Sequence, residues 1–129
     1  MQRKIKFRIW CNNRFYYKCL VGNTTDTNDK NWTYPMVWLE DKKEWVNCDN
    51  GIIQQFTGLY DKNNTPIYEG DILENTAVNF KFIVKFIETK WALQKLEFLE
   101  DNLDMYDFFH RIPTMFEVIG NIYDNKEDI

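Results

Sequence analysis

A chain of 129 residues with a net charge of −4 is long enough to bury a real core without staples and short enough to be one domain. Its mildly acidic balance argues against a generic polyanion binder. No apolar run approaches the ~20 residues of a membrane helix, and charges punctuate the first eight residues where a signal peptide needs an unbroken apolar stretch. No membrane association and an intracellular location are expected.

Residues 3–11, "RKIKFRIWC", alternate as a half-buried strand does. Ile5, Phe7 and Ile9 fall on one face and Lys4, Lys6 and Arg8 on the other, which predicts a basic outer face. Asn12-Asn13 is a turn signal, because asparagine tolerates positive φ. "RFYYKCLV" then reads as the returning strand. Residues 22–35 are almost wholly polar and end in proline, which predicts a long exposed loop. "MVWLEDKKEWVNC" fits a hairpin with Met36 to Leu39 opposite Trp45 to Cys48, and Asp49-Asn50-Gly51 is a further turn.

"IIQQFTGL" and "PIYEGDIL" bracket a polar segment from Tyr60 to Thr65 in a second hairpin pattern. From Phe80 to Phe86 the apolar residues alternate. From Trp91 onward, Ala92, Leu96, Leu99 and Leu103 also line one helical face, so strand and helix stay equally open there. Asp101 to Asp107 reads as an exposed turn or short helix, and "MFEVIGNIY" as a closing core strand. Val118 and Ile122 would share one face of it, with Gly120 between them. Many short strands with close turn signals, and at most one short helix, make a mainly β domain of sandwich or small-barrel type.

The charge is unevenly spread. Residues 1–20 carry Arg3, Lys4, Lys6, Arg8, Arg14 and Lys18 and no acid, while the last third is strongly acidic. Basic and acidic strands lying side by side account for this as well as a binding face does. Cys11, Cys19 and Cys48 cannot all pair with one another, no two are spaced C-x-x-C, and His110 is remote. No metal site is expected, and the cysteines read as small buried apolar residues of a reducing compartment.

Three blocks resemble the YopX family of phage and prophage proteins: "KIKFRIW" at the start, "QFTGLYDKNNTPIYEGDIL" in the middle and "FEVIGNIYDN" at the end, in that order. They cover under half of the chain but span it. Asn63-Asn64 stands where the family's turn has Asn-Gly. The resemblance implies an SH3-like small barrel with additional β-hairpins, and it favours a hairpin over residues 82–98. It implies a single domain over 1–129, with a hairpin region over 1–50 and the barrel core over 51–124. It also implies the cytoplasm of a bacterial host cell, and it supplies no catalytic residues.

Glu69 and Asp71 are the one pair of carboxylates that invites a chemical reading, as general acids or metal ligands. Gly70 between them suggests a bend, and Asp71 reads better as an acceptor for turn N–H groups. Gly58 and Gly120 likewise read as structural turn or close-approach positions. There is no glycine-rich phosphate loop and no serine nucleophile. No enzyme activity and no cofactor are expected. The expected work is binding, to a host or phage protein through Trp32 and Tyr34 in the polar loop. The competing reading is nucleic-acid or small-nucleotide binding by Lys4, Lys6 and Arg8, and a metal-dependent enzyme on Glu69 and Asp71 is a distant third. Homo-oligomerisation is left open.

Overall fold

The computed structural model describes residues 6–21, 23–25, 31–33, 35–77, 80–87, 90–96, 102–105 and 116–124. It is built of strands, as the sequence predicted, and divides into two units, Lys6–Gln55 and Phe56 onward.

In the first unit, β1 (Phe7–Cys11) pairs antiparallel with β2 (Arg14–Tyr16) through Asn12 and Asn13, both left-handed at φ 52° and 67°. The expected returning strand is in fact two. β2 stops at Tyr16, and β3 (Cys19–Leu20) pairs instead with β6 (Met36–Leu39). Because the chain changes sheets here, it can cover its own apolar face. β6 pairs with β7 (Glu44–Asn47) in the predicted hairpin, one residue earlier than the expected Trp45 to Cys48, with Val37 opposite Val46 and Trp38 opposite Trp45. Ile9 and Cys11 of β1 pack with Val37 of β6, and Tyr16, Leu39, Val46 and Ile53 close around them.

The loop expected at 22–35 contains a small ladder, β4 (Asn23–Thr25) against β5 (Asn31–Thr33). Its β-branched threonines and Trp32 suit a strand, despite the polarity of the segment.

The cysteine reading needs correction. Cys11 and Cys48 form a disulfide with Cα atoms 6.5 Å apart, and Cys19 is the free thiol. The sequence separation of 37 carries no local signal; the bond depends on the end of β1 meeting the turn after β7. Gly51 serves that meeting. A Cβ there would lie 2.8 Å from Ile9 Cγ2 and 3.3 Å from Cys48 Sγ, so any side chain would push the turn off the disulfide.

β8 (Ile52–Tyr60) begins in the first unit, paired with β1, and ends in the second, paired with β9 (Pro66–Tyr68). The second unit holds a five-stranded antiparallel sheet. Its order is β13 (Asn102–Asp104), β12 (Lys90–Lys95), β11 (Phe80–Ile87), β10 (Asp71–Asn75), β14 (Phe116–Asn121). Leu73, Phe82, Val84, Leu93 and Phe116 form its core with Ile67 and Met105.

β12 resolves the strand-or-helix question in favour of a hairpin with β11. Trp91, Ala92, Leu93 and Gln94 are all buried, so the strand is covered on both faces and lacks the period-2 pattern of a half-exposed one. The acidic turn expected after it is a strand over Asn102–Asp104, since Leu103 pairs with Leu93. Ladder pairing overrides local propensity there.

β14 is the expected closing strand. Phe116 is fully buried, Val118 packs on the core and Gly120 lies opposite Ile72. The register slips between Ile72 and Leu73, which leaves Ile119 as the extra, exposed residue of a bulge. Ile122 falls just past the strand, and its N–H reaches the Gly70 carbonyl.

Two outcomes test this fold. A chain ending at Phe116 should lose its cooperative melt, because Val118 and the ladder to β10 go with the cut; a parent-like melt would contradict the packing. Native protein should titrate one thiol, and reduced, unfolded protein three. Burial pushes the Cys19 thiol pKa up, so the native thiol should react more slowly than free cysteine near about pH 8. Three native thiols would exclude the disulfide, whose loop closure is worth about 4 kcal/mol in the chain-entropy model.

Candidate functional site

The central hairpin shows what its polar residues do. Gly58 sits at φ +89° with open space where a Cβ would be, within the register shift of β8 against β9. Ladder bonds lapse there, and the buried Thr57 hydroxyl substitutes: it donates to the Ile67 carbonyl (2.8 Å) and accepts from Leu59 N–H (3.1 Å). Asp61 Oδ1 accepts from Asn63 and Thr65 N–H, while Oδ2 accepts from Val118 N–H of β14. Asn64 takes the left-handed conformation (φ 66°) that the turn demands.

Asp71 is 2 % exposed. Its Oδ2 accepts from Tyr68 N–H at 2.8 Å and its Oδ1 from Asn121 Nδ2 at 3.2 Å. Gly70 is left-handed at φ 86°; its N–H donates to Val84 and its carbonyl accepts from Ile122 N–H. Glu69 is half-buried. Both oxygens of Asp71 are therefore committed to holding strand ends, which is the structural role read from the Glu-Gly-Asp spacing. Among the described residues, no group of three metal-ligating side chains converges.

The two sets of proposed binding residues fare differently. Lys4 and Tyr34 lie outside the described residues, as does His110. Trp32 is placed by its backbone in β5, opposite Thr24. Lys6 is half-buried. Arg8 departs from the expected open basic face: it is 5 % exposed. Its Nε donates to Gln54 Oε1 (2.8 Å), and its guanidinium lies 4.0 Å over the Phe15 ring. Alternation did place Arg8 opposite Ile9, but aromatic side chains cover that side too, with Trp10 packed edge-on against Phe15 at 4.7 Å.

The sequence reading passed over the outer face of β3, β6 and β7. Val37 and Val46 turn inward, so Trp38 and Trp45 turn outward, T-shaped with centroids 5.3 Å apart. Leu20, 51 % exposed, stands opposite Met36 on the same face. A charged rim surrounds them. Lys18 Nζ lies 4.1 Å over the Trp38 ring, Trp38 Nε1 donates to Glu40 Oε2, and Glu40 pairs with Lys43. These hydrogen bonds hold the Glu40 carboxyl below the usual range. The signal was present in the unbroken apolar runs, "MVWL" and the adjacent Trp45 and Val46, which put apolar side chains on both faces of a hairpin.

The model of the YopX protein family matches residues 6–129. The chain belongs to the YopX family. No curated protein matches it. Among solved structures, this YopX-family protein is similar to protein EF1440 from Enterococcus faecalis, at 20% identity over 98% of each chain with a TM-score of 0.62. At that identity the likeness shows a shared fold. No helix among the described residues is long and apolar enough to cross a membrane.

The carboxylate assignment makes a sharp prediction. Asp71→Ala leaves the Tyr68 N–H and Asn121 amide buried without their acceptor and should cost about 2–4 kcal/mol. Glu69→Gln should stay within about 0.5 kcal/mol. Denaturant melts of the two variants check this, and equal, small effects would remove the structural role.

Proposed function

We propose that this protein is a non-catalytic accessory protein of phage or prophage origin that acts by binding a host protein. The observation that carries the proposal is the Trp38–Trp45 pair displayed with Leu20 on the outer face of β3, β6 and β7. Paired aromatics at the centre and charges at the rim are the composition of a protein-binding surface. A cross-strand tryptophan pair also stabilises its own hairpin, so stability and capture must be measured apart. Trp32 belongs to the excursion of chain between β3 and β6 and is proposed, with Tyr34, as a second contact.

The chemistry of the buried acids supports a non-catalytic role, since Asp61 and Asp71 spend their oxygens on the backbone and on Asn121. The nucleic-acid reading draws less support. Of Lys4, Lys6 and Arg8, the arginine is already engaged with Gln54 and Phe15.

Replacing Trp45 and Leu20 together with threonine keeps β propensity and should shift stability by no more than about 1 kcal/mol. It should reduce capture of the host partner from lysate by about thirtyfold, as loss of a hot spot does. Trp32→Ala with Tyr34→Ala should also weaken capture while leaving the melt nearly intact. A folded Trp45/Leu20 variant that captures the partner as well as the parent would place the interface elsewhere. Tight binding to single-stranded DNA, with a log–log salt slope of about −0.7 per phosphate, would favour the nucleic-acid reading instead.

A further inference from the structure

The opposite side of the β6–β7 hairpin holds a cavity of about 300 Å³. Its floor is apolar: Val37, Leu39 and Val46 with the ring of Tyr16 and the Cys11–Cys48 disulfide. Its exposed rim is Asn12, Asn47, Asp49 and Asn50. The left-handed turn at Asn12 sets one edge, and the turn that Gly51 N–H closes onto the Cys48 carbonyl (3.0 Å) sets the other.

The volume is at the small end of ligand sites and suits one fused-ring group. The rim decides the charge. Asp49 is the only acidic side chain among the described lining residues, and among the described residues no cation pairs with it. Among the described residues, no lysine or arginine lines the cavity; Arg14 lies 4.7 Å over the Tyr16 ring without entering the lining. A phosphate or carboxylate would meet the Asp49 carboxyl group and, among the described lining residues, no cation. An ammonium group would meet Asp49 and the carboxamide oxygens, with its apolar body on the floor.

We propose that this cavity is a binding site for a small cationic amphiphile, an arylalkylammonium group with its ring on the Val37–Leu39–Val46 floor and its ammonium at Asp49. The floor is separate from the Trp38–Trp45 face, because alternation along β6 and β7 sends Val37, Leu39 and Val46 to the side opposite Trp38 and Trp45.

The test titrates the full chain with tryptamine and with indole-3-propionic acid, which share a ring and differ in the sign of the charge. Amide shifts in two-dimensional NMR are the readout. A ligand of this size should bind in the millimolar range. Shifts should centre on Asn12, Leu39, Val46 and Asn50, and the acid should bind at least about fivefold more weakly, the scale of an exposed charge pair. Asp49→Asn, at an exposed position, should fold as the parent does and bring the two affinities together. Equal affinity of the parent for both ligands overturns the charge assignment. Shifts absent from the cavity, or centred on Trp38 and Trp45, overturn the site.

Discussion

Two buried carboxylates hold the second unit together. Asp61 gathers three backbone N–H groups, two within its own turn and one 57 residues away in β14. Asp71 joins the end of β9 to Asn121 at the other end of the same strand. A buried carboxylate that accepted fewer bonds would cost several kcal/mol; satisfied, each clamps the central hairpin to β14. Around them the local chemistry follows. Gly58 and Gly70 take left-handed φ so that the strands can bend, and Thr57 replaces the ladder bonds lost at the first bend.

The blocks that resemble the YopX family are thereby given a physical reason to occur together. "QFTGLYDKNNTPIYEGDIL" supplies the acids and the bends, and "FEVIGNIY" supplies the Val118 N–H and the Asn121 amide that they bind. "FRIW" lies in β1, which pairs with the first half of β8, where Arg8 meets Gln54. The pattern is one of backbone satisfaction. Its acids and glycines sit where strands end and bend.

The first unit is arranged differently. Two of its sheets share a small core, and the Cys11–Cys48 bond and Gly51 draw the β1 end against the turn after β7. A core of that size cannot bury every aromatic side chain near it. Trp38 and Trp45 therefore remain outside, while the inner sides of the same strands frame a cavity. The paired tryptophans and the cavity are what so small a core leaves uncovered.

The sequence by itself determined the β class and most of the hairpins, because period-2 alternation and turn residues are local signals. Asn12-Asn13 and the pairing of Met36–Leu39 with its partner strand are examples, and the spacing of Gly70 and Asp71 made their structural role legible. Tertiary structure decided the rest. Residues 91–94 are buried on both faces, which erased the alternation that would have named a strand. Asp61 went unremarked within the polar segment from Tyr60 to Thr65, because Val118 comes near it only through folding. The disulfide joined two cysteines of no diagnostic spacing, and Arg8, on the polar side of an alternating strand, found Gln54 and Phe15 waiting there. Each of these depends on which segments meet across tens of residues, and a local pattern carries no record of that.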